Sequence, residues 1–144
     1  MAIINGDNNN NNLAGTAAAD IISGLGGNDV LFGDAGLDII NGGNGNDRID
    51  ITAQAQIVAG ETYNGGLGTD TLLLNTGTPI DLSTTIITDV EVLQAGGVVS
   101  LTSAQLGSFV SVSSGAITLT DGGVADLTGV VGQIAPRAAD NGSA

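Results

Sequence analysis

Four aspartates with a spacing of nine residues carry the clearest chemistry in this chain: Asp20, Asp29, Asp38 and Asp47. A carboxylate is a hard oxygen ligand, of the kind that calcium prefers. A glycine opens each nine-residue unit five positions before its aspartate, and an aliphatic residue follows two positions after it. Three positions that keep this spacing through four consecutive units indicate a repeat architecture.

Each unit combines a turn with a very short strand. Its first six residues contain glycines, which allow the chain to turn tightly. Its last three residues are rich in Ile, Leu and Val, which favour a strand. Because side chains alternate along a strand, the eighth residue of each unit should point inward, namely Ile22, Leu31, Ile40 and Ile49. A single unit cannot bury that residue, so the units must stack.

The units GGNGNDRID at 42–50 and GGLGTDTLL at 65–73 resemble the RTX nonapeptide G-G-x-G-x-D-x-U-x most closely. This resemblance implies an all-β fold, a right-handed parallel β-roll or β-helix solenoid with calcium in the turns of its N-terminal half. In that family two successive nonapeptides form one coil, and calcium lies between turns that stack on the same side.

The resemblance also implies a set of metal ligands. Asp29 would share an ion with Asp47, and Asp20 would share one with Asp38. Asp70 is a further ligand, whose partner turn is left open because an insertion disturbs the count. The expected set, which includes backbone carbonyls, holds about three to five calcium ions and consists of Asp20, Asp29, Asp38, Asp47, Asp70, Asn11, Gly24, Gly27, Gly42, Asn44 and Gly45.

The calcium-binding repeats are predicted to span residues 1–74. Their first unit, which begins at Gly6, is degenerate and has Asn11 in the aspartate place. We interpret it as a terminal repeat that caps the roll, with a flexible polar lead-in as the alternative. The turns before Asp20 and Asp38 lack some of the expected glycines, so these two sites should be weaker or differently shaped.

An insertion is predicted at about residues 51–64, where the motif is interrupted. ITAQAQIVA fits a coil without calcium, and GETYN fits an inserted loop. We expect Tyr63 to cover an exposed edge and Glu61 to be solvated, with a contact from Glu61 to a nearby ion as the alternative.

Residues 75–135 lack the Gly-Asp motif but keep short aliphatic strands. Two of these strands, 99–101 and 117–119, are eighteen residues apart, which is the length of one coil. We therefore predict a metal-free continuation of the β-solenoid, with Thr102 capping one helical turn. The tail at 136–144 is expected to be disordered.

Composition excludes several classes of function. The chain has 2 basic and 15 acidic residues and a net charge of −13, which disfavours nucleic acid as a partner and opposes binding to anionic membranes. A hydrophobic content of 42% is too high for a disordered acidic tail. Cysteine and histidine are absent, which excludes disulfides and the usual zinc sites. The N-terminus does not resemble a secretory signal peptide, and no apolar stretch reaches the ~20 residues that span a bilayer.

We expect no catalytic residues and no cofactor other than calcium. Asp89 and Glu91 are the only close acidic pair outside the repeats and are predicted to share one strand face. A glycosidase-like pair is conceivable from that separation. A solvated face, or a carboxylate bonded to a neighbouring turn, is the interpretation that we favour.

These observations predict a secreted calcium-binding structural module that folds after export, for which RTX relatives typically use a type I system. Its role would be that of a scaffold, adhesin or surface-layer (S-layer) component, outside a bacterium or on its surface. The expected partners are calcium ions, further copies of the chain or other domains of a parent protein, without insertion into a membrane. Two alternatives are an accessory domain of a secreted protease, lipase or epimerase, and a solenoid that binds ice or carbohydrate.

Overall fold

A computed structural model describes residues 1–122 of the chain, which form short strands and one helix. The strands are β1 Ile3–Asn5, β2 Asn12–Ala14, β3 Ile21–Gly26, β4 Val30–Phe32, β5 Ile39–Asn44, β6 Arg48–Ile51, β7 Thr62–Leu67, β8 Thr71–Leu74, β9 Ile80–Asp81, β10 Ile86–Thr88, β11 Val92–Ala95, β12 Val98–Leu101, β13 Ser111–Ser113 and β14 Ala116–Leu119. The helix α1 spans Ser103–Ser108, and a 3₁₀ turn spans Gln54–Gln56.

All of these strands pair in parallel, in three sheets. The first sheet has the order β1-β3-β5-β7-β10, the second has β2-β4-β6-β8-β11-β13, and the third has β9-β12-β14. Successive strands along the chain enter different sheets, so each coil adds one strand to a sheet. The fold is therefore a β-solenoid of about six coils, in agreement with the predicted β-roll.

Aliphatic side chains stack along the interior of the solenoid. Ile22 lies beside Ile40, and Leu31 lies beside Ile49, each pair being one coil of eighteen residues apart. These four side chains are at most 1% exposed, so the predicted inward position of the eighth residue is correct. The same stack continues after the repeats with Leu72, Leu93 and Val112.

The insertion differs from its prediction. Strand β7 begins at Thr62, inside the predicted loop, and places Tyr63 directly over Ile40. Tyr63 is 2% exposed and belongs to the core, so its predicted role as a cover for an exposed edge is wrong. The coil that leads from Ile40 to Tyr63 has twenty-three residues instead of eighteen, and the 3₁₀ turn Gln54–Gln56 lies in it.

The second half of the solenoid acquires a third face. The third sheet starts at β9, and Val99 pairs with Ile117 as predicted. Helix α1 begins with a capping box, in which the Thr102 side chain accepts the Gln105 amide. Gln105 Nε2 also donates to the carbonyls of Leu82 (2.8 Å) and Thr85 (2.9 Å), which fastens the helix to the preceding coil.

No helix within residues 1–122 is long and apolar enough to cross a membrane. The predicted continuation of the solenoid from 123 to 135 and the predicted disordered tail at 136–144 lie outside the described residues, and the division into domains stays a prediction.

Candidate metal centre

The sixth-place residues of the units stack in two rows. The long row consists of Asn11, Asp29, Asp47, Asp70 and Glu91. The short row consists of Asp20, Asp38 and Glu61. The predicted pairs are therefore brought together, since Asp29 lies next to Asp47 and Asp20 lies next to Asp38. The partner turn of Asp70, which the sequence left open, is that of Asp47.

One carboxylate oxygen of each of these aspartates is fixed by the main chain of the preceding coil. The amide of Asp29 donates to Oδ1 of Asp47 at 2.7 Å, and the amide of Asp47 donates to Oδ1 of Asp70 at 2.7 Å. In the short row the amide of Asp20 donates to Oδ1 of Asp38 at 2.8 Å. These bonds hold the carboxylates in one orientation along each row.

The second oxygen is unsatisfied in four of these carboxylates. Oδ2 of Asp29, Asp38, Asp47 and Asp70 is buried and has no hydrogen-bond partner. A buried polar atom without a partner is strongly unfavourable, and a buried charge is more so. A cation bound at each of these oxygens would remove that penalty, so the residues present fit the calcium that the repeats imply.

The glycine that opens a unit leaves space in which oxygen atoms from two coils come close together. A Cβ atom built on Gly24 would overlap Oδ2 of Asp29 and the carbonyl oxygen of Gly42. A Cβ atom built on Gly42 would likewise overlap Oδ2 of Asp47 and the carbonyl oxygen of Gly65. Neither glycine has a positive φ, so space rather than backbone conformation requires glycine here. A carboxylate oxygen and a carbonyl oxygen of the next coil thus meet at the same point.

The other predicted carbonyl donors lie around the same turns. The carbonyl of Gly24 lies beside Asn11 Oδ1 at the Cβ position of Gly6. The carbonyl of Gly27 lies against Gly45, while Asn44 ends strand β5. The ligand roles of all these residues stay predictions.

The short row has a different shape, as predicted from its missing glycines. Oδ2 of Asp20 is already occupied, because it accepts bonds from the Thr16 amide (2.6 Å) and the Thr16 hydroxyl (2.8 Å). At the Cβ position of Gly33 the nearest atoms are Oδ2 of Asp38 (2.7 Å) and Cδ1 of Ile40 (3.2 Å), rather than a carbonyl. The long row therefore has the more complete oxygen sites.

The electrostatic environment separates Asp20 from three of the other carboxylates. Burial raises the pKa of Asp47 and of Asp70, and the neighbouring carboxylates raise it further. Burial also raises the pKa of Asp38. In contrast, hydrogen bonds from the Ala2 amide and the Thr16 side chain lower the pKa of Asp20. A bound proton or cation would stabilise the buried carboxylates of Asp38, Asp47 and Asp70.

Glu61 is a functional candidate whose position the sequence did not reveal. It is 1% exposed, which contradicts the predicted solvation, and it occupies the aspartate place of the short row beside Asp38. It accepts the Tyr63 hydroxyl (2.5 Å) and the Val58 amide (3.1 Å), and burial raises its pKa. Its coil has five extra residues, so counting in steps of nine from Asp47 does not bring Glu61 to the aspartate place.

A ladder of asparagine side chains runs beside the long row. It was not predicted from the sequence. Asn28 accepts the Asn46 amide at 2.8 Å, and Asn46 in turn accepts the Thr69 amide at 2.9 Å. The Asn28 amide donates to Asn10 at 2.7 Å. The ladder joins successive turns without charge, and its signal in the sequence is the asparagine that precedes the aspartate in two of the units.

Within residues 1–122, no three His, Cys, Asp or Glu side chains gather at one point. The oxygens that accompany each aspartate are main-chain carbonyls, which calcium accepts together with carboxylates.

Comparison with known proteins agrees with this geometry. A family model described as the RTX calcium-binding nonapeptide repeat matches residues 5–40 and 24–50, with four copies of the repeat. A search of curated proteins found no match, and a search of solved structures found none either. The matched residues include the turns of both rows that hold Asp20, Asp29, Asp38 and Asp47. Residues 5–50 of this chain are therefore RTX calcium-binding nonapeptide repeats.

Proposed function

We propose that this chain is the calcium-dependent structural module of a secreted protein, and that calcium binding in the turns completes its folding. The observation that carries this proposal is the set of four buried Oδ2 atoms without partners, which belong to Asp29, Asp38, Asp47 and Asp70. They lie in turns whose other hydrogen bonds already orient the carboxylates, so bound cations would satisfy the remaining oxygens.

The ligands can be assigned turn by turn. One ion would be held by Asp29, Asp47 and the carbonyl of Gly42, and a second by Asp47, Asp70 and the carbonyl of Gly65. A third, weaker ion would lie between Asp20 and Asp38, because Thr16 competes for Asp20. The remaining donors would come from the predicted set of Asn11, Gly24, Gly27, Asn44 and Gly45. This gives about three ions from the repeats, within the predicted range.

Calcium binding would stabilise the folded chain in two ways, by offsetting its charge and by mass action. The net charge of −13 opposes a compact state, and each divalent ion offsets part of it. An ion that binds only the folded chain stabilises it by about 2.7 kcal/mol when its free concentration is 100 times Kd. Extracellular calcium modules have Kd values of about 10⁻⁴–10⁻³ M, so such sites would fill outside a cell and stay empty in the cytosol.

The test is far-UV circular dichroism of the chelator-treated chain during a calcium titration, with magnesium as the control. Calcium, and not magnesium, should increase the β signal at submillimolar to millimolar concentration. A chain that binds no calcium in equilibrium dialysis, or that responds equally to magnesium, would contradict the proposed function.

The biological role that fits such a module is that of an extracellular or surface-attached scaffold, adhesin or S-layer component. The alternative role, an accessory domain of a secreted enzyme, would be decided by the full-length gene, in which a catalytic domain would accompany these repeats.

Surface binding is a second candidate function, which one observation favours. The outer face of the first sheet carries Ile3, Ile39 and Ile86 in one line, and these side chains are 48–66% exposed. Their regular spacing would match the repeat of an ordered surface such as ice or a polysaccharide. An ice-recrystallisation assay and a polysaccharide pull-down, each with Ile39→Lys, would test it; activity that this variant retains in full would remove the line of isoleucines from consideration.

A further inference from the structure

We propose an additional calcium site at the end of the long row, formed by Asp70, the main-chain carbonyl of Asp89 and the side chain of Glu91. This site rests on the proposed function, and it lies outside the residues that the family model matches. It would raise the expected number of ions from about three to about four.

The first argument is that Glu91 continues the carboxylate ladder. The amide of Asp70 donates to Oε2 of Glu91 at 2.8 Å. The amide of Asp47 makes the equivalent bond to Oδ1 of Asp70 at 2.7 Å. Glu91 thus has the place that an aspartate has in the repeats, although the sequence around it contains no nonapeptide.

The second argument is the oxygen cradle at Gly65. Oδ2 of Asp70 is buried and has no partner, and Asp70 is 1% exposed. A Cβ atom built on Gly65 would lie 2.7 Å from this oxygen and would overlap the carbonyl oxygen of Asp89. The same convergence occurs at Gly24 and at Gly42, where the carbonyl comes from a glycine of the motif.

The third argument is the backbone of the segment 89–91, which is a turn and not the strand face that the sequence predicted. Strand β10 ends at Thr88 and strand β11 begins at Val92. Asp89 has a φ of 51°, in the left-handed region that aspartate tolerates better than most residues. Thr88 pairs with Asn64, so Asp89 follows in register with Gly65, the opening glycine of the preceding unit, and its carbonyl reaches the corresponding point.

The chemistry of these donors is that of a hard cation site. Two carboxylates and a carbonyl are oxygen ligands of the type that calcium takes. Without a cation, Asp70 Oδ2 is a buried carboxylate oxygen with no hydrogen-bond partner.

The experiment counts calcium ions per chain by equilibrium dialysis with radioactive calcium at saturation, on the full chain. The test variant is Glu91→Gln, which retains an oxygen to accept the Asp70 amide but removes the charge. The matched control is Asp81→Asn, which removes one charge from an exposed aspartate outside both rows and keeps an oxygen to accept the Ser83 amide. Circular dichroism in saturating calcium checks that each variant reaches the wild-type fold.

Glu91→Gln should bind one ion fewer than the wild type, and Asp81→Asn should bind the full number. An unchanged count for Glu91→Gln, or an equal loss in both variants, would overturn the site while leaving the repeats as calcium ligands. A wild-type chain that binds no calcium would overturn the proposed function and this site together.

A second measurement avoids substitution in the binding experiment itself. The chain has only two glutamates, Glu61 and Glu91, so isotope labelling of glutamate gives two side-chain carboxyl signals in NMR. Calcium should shift the Glu91 signal. A Glu91 signal that is identical in chelator and in saturating calcium would overturn the site, whatever the variants show.

Discussion

The main-chain amide of Asp29 donates a 2.7 Å hydrogen bond to Oδ1 of Asp47, one coil further along the solenoid. The bond orients the Asp47 carboxylate before any ion arrives and leaves its Oδ2 free. Because the same arrangement recurs between Asp47 and Asp70, each interior aspartate belongs to two neighbouring turns.

Asp47→Asn is expected to weaken two adjacent calcium sites at once, because Asp47 borders both the turn of Asp29 and that of Asp70. The loss of a charged ligand should lower the affinity of each site about tenfold or more, since ligand charge sets calcium affinity. The control is Asp34→Asn, an exposed turn residue with a φ of 67° that asparagine can adopt. Calorimetric titration with calcium measures both variants; the loss of a single site in Asp47→Asn would contradict shared ligation.

Gly24→Ala is expected to remove a calcium site and to destabilise the chain by about 1–3 kcal/mol, as overpacking does. The added Cβ would overlap Asp29 Oδ2 and the Gly42 carbonyl. The control is Gly107→Ala in helix α1, where a Cβ meets nothing within 4 Å. There alanine should be neutral or stabilising by up to about 1 kcal/mol. Urea unfolding in calcium distinguishes the two variants. Equal stability of both would show that the space at Gly24 is not required.

Stability should depend on pH in opposite directions with and without calcium. The pKa values of Asp38, Asp47 and Asp70 are raised above 3.8 in the folded chain. In chelator their contribution to the free energy of unfolding is therefore present below that value and is lost as pH rises through the raised pKa values. Calcium binds only the ionised carboxylates, so in calcium the free energy of unfolding should rise over the same window.

Asp20 makes a contribution of the other sign to this pH dependence, since its pKa is lowered: its stabilisation is present above 3.8 and is lost as pH falls. Urea unfolding at a series of pH values, in chelator and in calcium, measures the balance. Identical slopes in the two media would contradict cation binding by Asp38, Asp47 and Asp70.

Tyr63→Phe is expected to destabilise the chain by about 1–3 kcal/mol, because the Glu61 carboxylate would lose a donor while it stays buried. The double variant with Glu61→Gln should recover part of that loss, since a neutral amide is less costly to bury. The measurement is urea unfolding in chelator. Equal losses in the single and double variants would show that the hydroxyl–carboxylate bond is not the cause.

The sequence predicts the coil and the inward side chains wherever the motif keeps its spacing. Glycine and aspartate at fixed places determine the turns, and Ile22 and Ile40 follow from the alternation of a strand. The paired aspartates of the long and short rows follow from the same spacing, because stacking on one side requires steps of eighteen residues.

The residues whose positions the sequence does not predict lie within the insertion or beyond it. Counted from Asp47, Glu61 and Tyr63 fall in the predicted loop, and only the lengthened coil places them beside Asp38 and Ile40. Glu91 does bond to a neighbouring turn, which was one of the two predicted interpretations, but its place in the long row is hidden because no glycine marks its turn. Spacing along the chain cannot locate a residue once a loop of unknown length intervenes; hydrogen bonds between coils locate it directly.

The insertion after β6 also bears on how such solenoids change during evolution. In the short row a glutamate, Glu61, lies beside Asp38, while in the long row Asp70 keeps its place next to Asp47. One row of a solenoid can therefore change its side chains while the other row keeps its register. A lineage can lose its calcium requirement gradually, one turn at a time, and retain an intact aliphatic interior throughout.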